Sequence, residues 1–182
     1  MMQPDKDIGI LALGNLLRRD EGIGVHILRA LREHVPENIE MVDGGTGGLE
    51  LLSFLESKKR LIILDAVNAD VKPGEVIEWR TEEVPIYTTG KLSLHQMSFA
   101  EVLYWAHLTG GLPEEIVVIG IQPDSLEWGT ELTARAAAGI PTAIDKVLSC
   151  LKRWRQLGDE SGQDGWATVT IYPFEEKMCD NL

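Results

Sequence analysis

The sequence predicts an α/β sandwich of three layers: a mostly parallel, doubly wound sheet of about five strands, with one antiparallel strand. Three observations predict it. Residues 8–13, 61–64 and 116–121 are short, nearly continuous apolar runs, the pattern of strands covered on both faces. Amphipathic helical stretches alternate with these runs, as right-handed crossovers require. One connection, containing Lys72-Pro73-Gly74, is too short for a helical crossover, so the strand that follows it should pair antiparallel.

Taken in order, Ile8 to Leu13 is the first strand, stopped by Gly14 and Asn15, which tolerate the backbone of a tight exit. A helix is expected from about Glu21, with Ile23, Ile27, Leu28 and Leu31 on its apolar face. Asp20 reads as its capping acid. Ile39 to Asp43 forms a second strand, running into the turn Gly44-Gly45-Thr46-Gly47-Gly48. Leu49, Leu52 and Leu55 space a short helix, and the strand 61–64 ends at Asp65. Val76 to Trp79 is the antiparallel strand, and residues 81–96 are irregular. Phe99, Val102, Leu103 and Ala106 give the next helix its apolar face, and Gly110-Gly111 ends it. Beyond the strand 116–121, broken by Gln122-Pro123, two helical pieces close the domain. Pro141 stands near the start of the second, and Ile144, Val147, Leu148 and Leu151 form its apolar face. The domain therefore spans residues 1–155. The tail 156–182 starts with a polar, glycine-rich linker at 158–165 and is either an edge strand at Trp166 to Tyr172 or disordered.

A chain of 182 residues is one domain with a sizeable core. A net charge of −12 argues against nucleic acid and anionic membranes as partners, and disfavours self-association. The first residues lack the charged and apolar regions of a signal peptide, and no apolar run approaches membrane-spanning length, so a cytoplasmic monomer is expected. Cys150 and Cys179 form no paired motif, and Cys150 reads as a small buried hydrophobe.

In a 2-1-3 strand order, a crevice opens above the carboxyl ends of strands one and three. Glu21 follows the first and Asp65 ends the third. Among the histidines, His26 and His34 belong to the first helix without a ligand partner one turn away, and His107 reads as structural. His95, just ahead of a helix start, is placed to return over the sheet. Glu21, Asp65 and His95 can converge from three loops, and two carboxylates with one imidazole leave a cation open positions for exchange. The dinucleotide fingerprint, the phosphate-loop lysine, the serine elbow and the paired-histidine zinc helix are all missing. The glycine run at 44–48 reads as a tight turn or a backbone-docking site for a peptide.

Four stretches, GNLLRRDEGIGV (14–25), VDGGTGG (42–48), LIILDAV (61–67) and SLHQMSF (93–99), together resemble the maturation endopeptidases of nickel–iron (NiFe) hydrogenases. The exit IGIQP (119–123) is similar as well, and the resemblance runs in order over residues 8–152. It implies a mixed α/β sandwich and a protease that trims the C-terminal extension from the hydrogenase large-subunit precursor after nickel insertion. The metal-binding positions it implies fall on Glu21, Asp65 and His95. Asp43 becomes a candidate for substrate handling or cleavage, or else an acceptor that shapes the glycine turn. Gly44, Gly45 and Thr46 become candidates for substrate binding. Nickel is expected to arrive with the substrate, while zinc would suit the same donors. A nickel-checking chaperone that uses the triad without hydrolysis is the rival reading.

Overall fold

A computed structural model of the chain describes residues 7–81, 83 and 96–160. Five strands are found among them: β1 (Ile8–Leu13), β2 (Glu40–Gly45), β3 (Arg60–Ala66), β4 (Val76–Arg80) and β5 (Glu115–Ile121). They form one sheet in the order β2-β1-β3-β5-β4. All pairs are parallel except β4 with β5. The helices are α1 (Ile23–Leu31), α2 (Leu52–Glu56), α3 (Gln96–Thr109), α4 (Ala134–Ala138) and α5 (Ile140–Glu160).

Alternation along each central strand sorts the core into two layers. Ile8, Ile10 and Ala12 of β1 pack with Ile62, Leu64, Val117 and Ile119 beneath α1 and α5. Leu11, Leu13, Leu61 and Ile63 point the other way, against Leu55 of α2 and Phe99, Val102 and Ala106 of α3. The expected apolar faces of α1, α3 and α5 are all buried. Trp154 of α5 is wholly buried in this core.

Four expectations need correction. The strand after the short connection is antiparallel, but β5 lies between it and β3. Insertion of β5 places an apolar strand under helices on both faces and leaves the half-buried β4 at the edge. The connection crosses the end of β5 through Gly74 N–H to Gln122 O (2.9 Å) and Gln122 N–H to Glu75 O (3.0 Å). Buried Gln122 fastens it further, its Oε1 accepting from Ala69 N–H at 2.9 Å. Secondly, Gly44 and Gly45 complete β2 instead of belonging wholly to the turn. A side chain at Gly44 would lie 2.8 Å from Leu11 Cδ1, so glycine lets β2 hug β1. Thirdly, a 3-10 turn, Arg19–Gly22, precedes α1, which starts two residues after Glu21. Lastly, α5 continues through residues 158–160, where a linker was expected. Once a helix is nucleated each further residue adds a hydrogen bond, which offsets the cost of Gly158. The anticipated strand at 166–172 lies outside the described residues.

A buried thiol and a half-buried imidazole have altered acidity. Burial pushes the Cys150 thiol up to about 12, which suits its reading as an inert core residue. Burial, and then the Arg29 guanidinium, lower the pKa of His26 below its ordinary 6.5. As pH falls through that value the unfolded chain takes up a proton before the native one does, so native stability declines in acid. Urea midpoints between pH 7.5 and 5 should therefore fall more steeply in the wild type than in His26→Gln. Equal slopes would show that His26 titrates alike in both states.

Candidate active site

The site starts where β1 stops. Gly14 has φ +130°, and a Cβ there would sit 2.0 Å from Glu21 O, so only glycine lets the following turn fold back over the strand. Its N–H donates to Gly45 O at 2.8 Å, which ties the β1 exit to the glycine turn after β2. Arg19 holds the left-handed φ of 46°, a costly conformation for a residue with a side chain. The cost is offset by a bond from Arg19 N–H to Gly129 O of 2.8 Å.

That turn buries two adjacent acids. Glu21 is 1 % exposed, and its Oε2 lies 3.3 Å from Nε of the partly exposed Arg18. Asp65 is the penultimate residue of β3, 5 % exposed, and its Oδ1 accepts from Ala66 N–H at 2.8 Å. Gly24 brings the start of α1 onto β3 and β1. A Cβ at Gly24 would lie 2.3 Å from Leu64 O and 2.4 Å from Leu13 O, so α1 rests directly on the ends of β3 and β1. Glu21 stands three residues before that contact, and Asp65 follows Leu64. Both candidates thus lie near the carboxyl ends of the neighbouring strands β1 and β3. Buried carboxylates so placed can hold a cation or accept a proton from a bound nucleophile.

His95 lies outside the described residues. Among those described, no three His, Cys, Asp or Glu side chains are grouped to hold a metal. His26 is half-buried on α1, and His107 is exposed on α3. Asp43 is exposed, and its Oδ1 accepts from Gly45 N–H at 3.1 Å, the turn-shaping contact anticipated as one of its two readings. Gly45 adopts φ +51°, and Gly47 N–H closes the turn on Gly44 O at 2.7 Å. Thr46 is exposed at its tip.

Asp20 is not a local helix cap. Its buried carboxylate accepts from the N–H groups of Asp124 (2.9 Å), Ser125 (3.0 Å) and Thr133 (2.7 Å), and from Thr133 Oγ1 (2.8 Å). Thr133 in turn caps α4 through Ala136 N–H. Asp20 thereby clamps the 122–133 loop onto the turn that carries Glu21. No local pattern announces this role, because the partners are more than a hundred residues away in the chain. Arg18 joins the same assembly, donating from Nη2 to Leu126 O at 2.9 Å.

The HycI family model, described as hydrogenase maturation protease, matches residues 25–150. The matched range holds Asp43, Asp65 and His95 and opens just after Glu21. The chain is 42 % identical over 154 residues to the hydrogenase expression/formation protein HupD of Bradyrhizobium diazoefficiens, covering 82 % of this chain and 80 % of that relative. It is 40 % identical over 146 residues to the hydrogenase 2 maturation protease of Escherichia coli, covering 79 % and 89 % of the two chains. The structure of the hydrogenase maturating endopeptidase HybD from Escherichia coli superposes with a TM-score of 0.76 at 39 % identity, covering 81 % of this chain and 93 % of that one. Buried acids at the sheet's carboxyl edge, the 2-1-3 order and these likenesses agree: the chain belongs to the hydrogenase maturation protease family.

Proposed function

We propose that this protein is an endopeptidase that removes the C-terminal extension of a NiFe-hydrogenase large-subunit precursor once nickel has been inserted. The observation that carries the reading is the pair of buried carboxylates, Glu21 in the turn after β1 and Asp65 near the end of the neighbouring β3, within the fold of the maturation proteases. Two carboxylates with an imidazole suit a divalent cation, and the precursor's nickel is one. In this reading Glu21, Asp65 and His95 meet the nickel as part of the substrate, and their contact sets one peptide bond beside the site. A cation there polarises the scissile carbonyl. Asp43 handles the substrate or takes the proton of the attacking water, and Gly44, Gly45 and Thr46 offer backbone groups to the extended segment. Zinc would suit the same donors in the isolated protein.

No helix among the described residues is long and apolar enough to cross a membrane. The reading places the enzyme in the cytoplasm as a monomer, where its precursor is made.

The deciding experiment incubates the protein with nickel-loaded and nickel-free precursor and weighs the products. A shortened large subunit with nickel alone is expected. Stable complex formation without loss of mass would instead identify a nickel-checking chaperone.

A further inference from the structure

Seven large apolar side chains are exposed among the described residues, and two of them, Trp128 (77 %) and Leu17 (57 %), lie on segments joined backbone to backbone beside the turn that carries Glu21. They stand on separate segments that the backbone stitches together. Gly129 N–H donates to Leu17 O at 2.9 Å, Arg19 N–H donates to Gly129 O at 2.8 Å, and Arg18 bridges Gly129 as a parallel pair. A Cβ at Gly129 would lie 3.1 Å from Arg19 Cγ and Nε, so any side chain there would press on the Arg19 side chain. Asp20 holds the loop at both ends through Asp124, Ser125 and Thr133.

We propose that Trp128 and Leu17, on the Asp20-clamped loop, form the surface on which the precursor polypeptide docks beside the cleavage site. An indole exposed this far loses free energy in water, and an aromatic on a clamped loop pays little ordering entropy on binding. Tryptophan and arginine together are the residues that most often dominate the energy of protein interfaces, and Arg18 and Arg19 flank this pair. The occupant follows from continuity with the turn that carries Glu21. The Arg18 guanidinium that donates to Leu126 O of the loop also reaches the Glu21 carboxylate at 3.3 Å. A polypeptide seated on Trp128 is therefore one arginine away from the buried acid, and the chain that must reach that acid is the substrate. The two arginines suit carboxylate groups on that substrate near its docking segment.

The inference rests on the proposed proteolytic reading, and the test separates the two. Binding of nickel-loaded precursor to the full-length chain is measured by calorimetry, and processing by mass, for the wild type, Trp128→Ala, Leu17→Ala and Trp128→Phe. Trp128→Ala should weaken binding and raise KM at least tenfold with kcat nearly unchanged, Leu17→Ala should do so less, and phenylalanine should restore most of the loss. Thermal melting should not move, because both side chains lie outside the core. Unchanged binding and KM in Trp128→Ala, with the wild type still cleaving, would overturn the docking surface alone. Weakened binding in a protein that never cleaves would support the surface and overturn the proteolytic reading. A wild type that sediments as a dimer and becomes monomeric in Trp128→Ala would assign the patch to a second copy and overturn the proposal.

Discussion

Adding one methyl group at Gly24 is expected to destabilise the protein by about 3 kcal/mol and to abolish precursor processing with it. The new Cβ would fall 2.3 Å from Leu64 O and 2.4 Å from Leu13 O. Both are backbone oxygens of fully buried strand residues, so neither can rotate aside. Helix α1 must instead lift from the sheet, loosening Ile23, Ile27, Leu28 and Leu31 from the core they fill. Alanine's better helix propensity returns at most about 1 kcal/mol. The urea midpoint of Gly24→Ala should drop with the slope unchanged. Gly110→Ala is the useful contrast. Gly110 also departs from ordinary backbone, at φ +74°, but a Cβ there meets nothing within 4 Å. Only the conformational penalty of roughly 1 kcal/mol applies. Similar losses in the two variants would mean that the contact of α1 with the strand ends is softer than its geometry implies.

Glu21→Gln should leave a cooperatively folded protein whose processing rate has fallen by at least about a hundredfold. Glutamine keeps the shape of the buried side chain and its neighbours while removing the charge that the substrate's cation would meet. Arg18, relieved of its partner, still reaches solvent and retains Leu126 O, so the fold loses little. The readouts are the mass of nickel-loaded precursor after incubation and the melting curve of the same sample. Full processing by Glu21→Gln would remove Glu21 from the mechanism and leave it as a buried partner of Arg18. Loss of processing accompanied by loss of the melting transition would assign it to the fold.

The sequence by itself determined the layers and the strand order around the site. Apolar runs at 8–13, 61–64 and 116–121 can only be strands buried on both faces, and helices of that spacing can only cross over them right-handedly. Segments that follow strands one and three therefore come close together, which is why the sequence alone offers Glu21 and Asp65 as candidates. Tertiary structure alone decided the rest. Whether β4 pairs with β3 or lies beyond β5 depends on which strand best tolerates an edge, and that is settled by competition for burial across the whole sheet. Asp20 looked like a local cap because sequence shows only near neighbours, yet its partners, Asp124, Ser125 and Thr133, arrive from the far end of the domain. Trp128 was equally silent. Its exposure next to the turn that carries Glu21 exists only because a loop after β5 is folded back and clamped onto that turn. Local periodicity fixes which face of an element is apolar, whereas contacts between remote segments are fixed only when the faces have been packed together.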